Sequence, residues 1–331
     1  MAIKEAVKRL SSMIRSARQR PDLLVDPKKL SLALVDLKEV AMQQPELLTQ
    51  EGVRNFLSHL ESAGDAAEHA QLFNKYSFRP ALNFDQVSPD SPEFLALQMQ
   101  QYKEISGRDG YFPIRDERDS VFEFADQFTV YPFTTQDVVC TGNYLVGVSL
   151  ALRAAQLKPG ATIVEYGIGW GHTTLALAQL GFNVIAVDIE EKFLKLVEYR
   201  AERLGLNITT HHGEFGDLPS HIEQIDGALF FECFHHCLKH VEVVRKLSDR
   251  LTPGGRLILA GEPLFDDDWF YPWGLRLDGQ SIWAIGTHGW MELGFKRSYL
   301  EKLLRANDFE LERHYHPEFG CVGEVYVGIK K

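Results

Sequence analysis

Apolar residues in the first third of the chain recur at helical spacing, with Ile3, Val7, Leu10 and Ile14 followed by Leu34, Leu37 and Val40. A later run opens with Ser91 as N-cap and Pro92 at the first helical position. It carries Phe94, Leu97 and Tyr102, and stops near Gly107, Asp109 and Gly110. The spacing predicts a helical N-terminal domain over residues 1–105, then a linker or cap over 106–150.

Beyond about residue 150 the period changes. Short apolar runs at Thr162 to Tyr166, Val184 to Asp188, Ile208, Gly227 to Glu232 and Arg256 to Ala260 alternate with helical stretches. These start from Gly171, span Glu191 to Leu204, and pass through Val241, Val244 and Leu247. Alternation of this kind predicts an α/β domain, residues 151–331, with a parallel sheet between layers of helices. The chain then gives a helix, Ser298 to Ala306, and two runs, Phe309 to His314 and Glu324 to Ile329, that predict an antiparallel hairpin after five parallel strands.

Composition narrows the function classes. Of 331 residues, 45% are hydrophobic and 24% charged, which excludes a disordered or fibrous chain. The net charge of −11 argues against a general nucleic-acid binder. Four scattered cysteines, Cys140, Cys233, Cys237 and Cys321, suit a reducing, cytoplasmic setting, and no apolar run reaches the ~20 residues of a membrane span. Residues 1–20 are basic and amphipathic, so they form either a solvated helix docked on its own domain or a peripheral contact with an anionic membrane.

The strongest chemical signal is Glu165-Tyr166-Gly167-Ile168-Gly169-Trp170-Gly171, a glycine-rich turn between a strand and a helix. His172 stands where a dinucleotide fingerprint needs its third glycine, which disfavours a nicotinamide-dependent oxidoreductase. Glu165 puts negative charge beside the turn, suiting a ligand that carries an ammonium. Asp188 ends the second strand, where a carboxylate accepts ribose hydroxyls; its other reading is a helix cap before Glu190 and Glu191.

With these residues, and with His212-Gly213-Glu214-Phe215 and Leu251-Thr252-Pro253-Gly254-Gly255 in order behind them, the chain resembles the class I S-adenosylmethionine-dependent methyltransferases over roughly residues 150–331. The resemblance implies a Rossmann-like seven-stranded, mostly parallel sheet closed by the C-terminal hairpin, with S-adenosyl-L-methionine as cofactor. It implies that Glu165 holds the methionine amino group directly or through water, that Gly167 and Gly169 line the methionine and ribose with Gly171 also at the cofactor, and that Asp188, with Ile189 after it, serves the ribose. Glu214 and Phe215 would flank adenine, although the family usually has Asp at position 214. Glu232 would adjoin the cofactor, and Tyr166, Trp170 or Phe234 could face the sulfonium.

Glu232-Cys233-Phe234-His235-His236-Cys237-Leu238-Lys239-His240 supplies the catalytic candidates. Cys233 and Cys237, or His236 and His240, would share a face if the stretch were helical, but no fourth ligand completes such a site, and no metal is expected. His235 or His236 is the candidate general base, with Glu262 at the end of strand five as a second. Glu232 and Glu262 together would be the carboxylates for a divalent cation, though without a definite third ligand.

An aromatic insert at about 263–296 follows, containing four of the five tryptophans, Trp269, Trp273, Trp283 and Trp290. Its substrate candidates are Trp273, Arg276, Asp278 and Trp290, since stacking faces mixed with polar forks suit a sugar; the other reading is a second apolar core under a lid. Pro272 to Ser281 and Gly289 to Phe295 are also similar to methyltransferase modules found with bacterial surface-polysaccharide glycosyltransferases. The expected activity is therefore O-methylation of a sugar or other hydroxylated small molecule, with a small-molecule or glycan acceptor as partner. A catalytically silent, cofactor-binding interaction protein is the alternative.

Overall fold

A computed structural model describes residues 45–64, 66–118 and 130–331. The stripe from Ile3 to Val40 and the basic segment 1–20 lie outside the described residues. The described chain divides at Asn83/Phe84 rather than near 105, and Leu277–Gly286 groups with the residues before Asn83.

In this first unit Thr49 caps the helix Gln50–Glu61 by accepting the Gly52 N–H at 3.1 Å. Phe56 packs on Tyr76 and Phe78, with ring centroids 4.8 and 6.4 Å away. The expected all-helical texture is incomplete here, because Glu46–Leu47 and Phe78–Arg79 pair as two short parallel strands. The short helix Gly279–Trp283 sits against the helix Ala66–Lys75: Trp283 packs on Phe73, and a Cβ on Gly279 would come within 2.7 Å of the Phe73 carbonyl.

The second unit is built on the predicted sheet. Its strands are β1 (Thr162–Tyr166), β2 (Asn183–Asp188), β3 (Ile208–His212), β4 (Ile225–Phe231), β5 (Leu251–Ala260), β6 (Phe309–Tyr315) and β7 (Glu324–Lys330). They lie in the order β6-β7-β5-β4-β1-β2-β3, with β1 to β5 parallel and β7 antiparallel to both neighbours. The chain runs outward from β1 through β2 to β3, then returns to the other side of β1 for β4. That reversal opens a crevice outside the carboxyl ends of β1 and β4, where open α/β sheets bind ligands.

The helix Val138–Ala155 moves another expected boundary. It runs through position 150, and its Val148, Ala151, Ala154 and Ala155 pack against Ile163, Leu229, Ile258 and Val325 of the sheet. By length and composition this 18-residue helix is also apolar enough to cross a membrane, contrary to the expectation of no such run. Its small residues let it lie close on the sheet, as a core helix does.

The insert, which shows no clear period, contains a three-stranded sheet. Leu293–Lys296 is central, parallel to Leu264–Phe265 and antiparallel to Trp273–Leu275. The end of the helix Pro92–Ser106 and the described start of the expected linker, 106–118, brace this insert. Tyr102 donates to the Gly289 carbonyl at 2.7 Å, Arg108 to the His288 carbonyl at 2.6 Å, and the Met291 N–H donates to Glu117 at 2.6 Å.

Candidate active site

The glycine turn leaves β1 at the crevice, and its three glycines do different work. A Cβ on Gly171 would approach Val197 Cγ2 to 2.3 Å, and one on Gly167 would approach Cys233 to 3.0 Å. Gly171 is therefore a packing residue that seats the helix His172–Gln179, not a ligand contact. At Gly169, with φ 47°, a Cβ would meet nothing within 4 Å, so this backbone borders open space.

Glu165 differs from its expected role. Its carboxylate is buried and accepts the hydroxyls of Thr173 and of Thr174 (2.6 Å), which bind it to the first turn of the next helix. Burial, only partly offset by those hydroxyls, pushes it up to about 7. It braces the turn instead of facing a ligand amine.

Asp188 reaches the same turn from β2. One oxygen accepts the Gly169 N–H at 3.3 Å and the other the Glu190 N–H at 2.8 Å, and the Ile168 N–H also turns toward the carboxylate. Burial raises it to about 6 against these bonds. It does not cap the following helix; Glu190 does, by accepting from Lys192 N at 3.2 Å. A half-open carboxylate beside bare Gly169 backbone fits a ribose and the group attached to it.

Phe215 is half-buried and stands edge-on to Phe230 at 5.4 Å, near the bare side of Gly167. Glu214 is half-buried beside it, its N–H donating to Asp217 at 3.0 Å. Ile189 is half-buried, with its carbonyl 3.0 Å from His212 Nε2. Tyr166 and Phe234 are fully buried: Tyr166 stacks on Phe230 at 5.0 Å, and Phe234 packs on Phe230 and Phe295. Trp170 packs on Phe193 at 5.2 Å. Tyr166 and Phe234 thus offer no open ring face to a sulfonium, because the apolar core consumes both.

Across the crevice, β4 ends in Glu232, whose backbone takes the left-handed value φ 52°. Burial and the nearby Glu262 push its carboxyl up to about 7. Phe234–His236 is a single 3-10 turn and the next helix starts only at His240, so Cys233 and Cys237 share no helix face. Cys233 donates its thiol to the Tyr166 carbonyl at 3.1 Å, and buried His240 contacts the Tyr299 hydroxyl at 2.9 Å.

Glu262 is buried and fully occupied, and so is no free base. It accepts the N–H groups of Cys233, Phe234 and His235 at 3.1, 2.9 and 3.0 Å and the His235 Nδ1–H at 2.9 Å. Burial nevertheless raises it to about 7. His235 is held well below its usual range by burial and by neighbouring His236, so it is neutral with a lone pair on Nε2. His236 is the reverse: burial alone would lower it, but Glu117 Oε2 at 3.3 Å outweighs that and raises it to about 9. At neutral pH His236 therefore carries a proton and is no base.

The insert divides into site and scaffold. Arg276 pairs with Glu292, whose Oε2 lies 3.9 Å from His235 Nε2. Trp290 stacks on His288 at 4.5 Å and stands edge-on to His236 at 6.5 Å; its buried Nε1 has no hydrogen-bond partner among the described residues. Trp273, by contrast, is buried against Phe94 and His240 and donates Nε1 to the Pro89 carbonyl at 2.9 Å. Asp278 belongs to the other unit and caps a helix through Ser281 N at 3.0 Å. Neither of these two is a substrate group. Sequence patterns gave no sign of Glu117 and Tyr111, which lie in the supposed linker; the Tyr111 hydroxyl donates to Glu117 at 2.8 Å.

A glycine turn and a ribose-type carboxylate at the switch point of a sheet closed by an antiparallel hairpin define a Rossmann-like, nucleoside-cofactor-binding enzyme. Residues 163–255 match the family described as a methyltransferase domain. An uncharacterized methyltransferase of Geobacillus thermodenitrificans (strain NG80-2) is 30% identical over 187 residues, covering 56% of this chain and 75% of that protein. A ubiquinone biosynthesis O-methyltransferase of Xanthomonas axonopodis pv. citri (strain 306) is 26% identical over 115 residues, 34% of this chain and 48% of that relative. The crystal structure of magnesium protoporphyrin IX methyltransferase from Synechocystis PCC 6803 is similar at a TM-score of 0.47 and 17% identity, covering 68% of this chain and 100% of that one. The chain belongs to the class I S-adenosylmethionine-dependent methyltransferases, and its cofactor is S-adenosylmethionine.

Proposed function

We propose that the protein methylates a hydroxyl of a sugar or a similarly hydroxylated small molecule. The observation that carries this reading is the set of polar groups beyond the cofactor turn: His235, Arg276 and Glu292, with Trp290 and His288 as a stacked pair beside them. Convergent donors and acceptors beside an aromatic plane suit a ring with hydroxyl edges and C–H faces. The relatives named for ubiquinone biosynthesis are also O-methyltransferases, which supports oxygen as the acceptor atom.

When bound, S-adenosylmethionine supplies an electrophilic methyl group on a sulfonium. Asp188 and the Gly169 backbone would hold its ribose side, with Phe215 beside the adenine. Glu262 fixes the ring of His235 so that the Nε2 lone pair meets the acceptor hydroxyl, and Glu292 with Arg276 orients the neighbouring oxygens. Holding the acceptor in line supplies up to roughly 7–11 kcal/mol in well-oriented reactions, more than the ~3–5 kcal/mol of a single proton-transfer group.

The test is transfer of isotope-labelled methyl from S-adenosylmethionine to a panel of sugars, sugar nucleotides and phenols, with product mass and linkage analysis. Label on a sugar oxygen is the expected result. Label on phenols alone would replace the sugar by the acceptor class of the ubiquinone relatives. Cofactor binding without transfer to any acceptor would favour a silent binding protein.

A further inference from the structure

We infer that His235, His236 and Glu292 form a binding site for a divalent first-row transition-metal ion. One ring nitrogen from each histidine and a carboxylate oxygen of Glu292 lie within 4.8 Å of one another. Two donors of one such ion stand about 3.0–3.4 Å apart in facial or tetrahedral geometry, so the side chains would close by up to roughly 1.5 Å, within reach of small side-chain rotations. Two imidazoles and a carboxylate suit Mn, Fe, Co, Ni or Zn rather than Ca or Mg, and they leave positions open for oxygen ligands.

The surroundings of the two imidazoles suit metal-binding histidines, His236 giving up to the ion the second proton it otherwise carries at neutral pH. Glu262 takes the Nδ1–H of His235 and so directs the ring's lone pair to Nε2, which lies 3.9 Å from Glu292 Oε2. Glu117 Oε2 stands 3.3 Å from His236 Nδ1 as its ion-pair partner, itself held by Tyr111 and the Met291 N–H. Carboxylates behind ligating histidines fix ring orientation and raise donor strength.

Charge points the same way. Glu117, Glu262 and Glu292 converge on the histidines against Arg276 and the proton on His236, and exchange of that proton for a divalent ion keeps this largely buried place balanced. Buried charge calls for compensation, and a divalent cation provides it. The Arg276 pairing does not block the site, since a carboxylate offers about four lone pairs. Combined with the proposed O-methylation, on which this last step rests, the bound ion would take the His235 Nε2 lone pair and itself meet the acceptor oxygens in its place, selecting acceptors with two adjacent oxygens, a vicinal diol or a hydroxy-carbonyl.

The experiment uses the full chain, stripped with chelator and titrated with Co2+ under visible absorption, with S-adenosylhomocysteine calorimetry on the same samples. One equivalent of Co2+ with d–d bands is expected, weakened about tenfold to a hundredfold or abolished in His235→Ala and in Glu292→Gln. His221→Ala, at an exposed site, should behave as wild type. Preserved S-adenosylhomocysteine affinity in the variants shows that they are folded. Absence of saturable Co2+ and Zn2+ binding at millimolar metal, with nucleoside binding intact, overturns the proposal. So do d–d bands that persist in both variants. Metal binding without S-adenosylhomocysteine binding would instead count against the methyltransferase reading and leave the metal site standing.

Discussion

Glu262 holds His235 at two points, its Oε2 accepting both the backbone N–H at 3.0 Å and the ring Nδ1–H at 2.9 Å. Loss of this acceptor in Glu262→Gln frees the ring to turn and to change tautomer. We expect kcat to fall about 10- to 100-fold while cofactor affinity stays within error. Steady-state kinetics and nucleoside calorimetry separate this from a purely structural effect, which would lower the melting temperature without splitting kcat from KM.

Asp188→Ala removes the acceptor for the Gly169 N–H and, on the proposed reading of the cofactor site, for two ribose hydroxyls. Hydrogen bonds to a charged group contribute about 1.5–3 kcal/mol each, so S-adenosylhomocysteine should bind at least about tenfold more weakly. Calorimetric titration reads this directly, and unchanged affinity would remove Asp188 from the cofactor site.

Gly171→Ala brings a methyl group to 2.3 Å from Val197 Cγ2 at a residue whose φ is +73°. Overpacking and left-handed strain together should cost about 2–4 kcal/mol in unfolding free energy. In the double variant with Val197→Ala the overpacking part should be recovered and the backbone part retained, as seen in denaturant melts of the four proteins.

Glu165 titrates near 7 in the folded chain, against a usual 4.5, because it is buried. A raised folded-state value means that the stability of the protonated form is fully present below the unfolded pKa and is lost as pH rises through 7. At about 1.4 kcal/mol per unit the loss is on the order of 3 kcal/mol. Glu165→Gln, neutral throughout, should match wild type in acid and exceed it in stability above neutrality. Urea unfolding at about pH 5 and about pH 8 compares the two.

The sheet was legible because most of its strands are short apolar runs bounded by turn residues, although β5 begins five residues before the expected Arg256 and takes in the Pro253-Gly254-Gly255 turn. Helix Glu191–Leu204 falls on its expected bounds, and β2 and β7 differ from theirs by one residue. The places of Asp188 at a strand end and of Gly169 in a strand-to-helix turn were legible because the backbone at a switch point demands particular residue types. Trp273 and Asp278 were misread because composition does not say which face of a three-residue strand or one-turn helix meets the core. Glu117 was invisible because its partners, His236 and Met291, lie 119 and 174 positions away in sequence, and no local period encodes such a pairing.

The grouping of Leu277–Gly286 with the residues before Asn83 has a consequence for how the chain is made. During vectorial synthesis the first unit lacks Ile282, a fully buried residue, and Trp283 until the whole of 84–276 has left the ribosome. The order of emergence is therefore not the order of completion: the strands of the large sheet up to β5 are available first, and the early helices close only around a late segment. A genetic cut at residue 83 would leave two fragments, the larger carrying an apolar segment without its native neighbours.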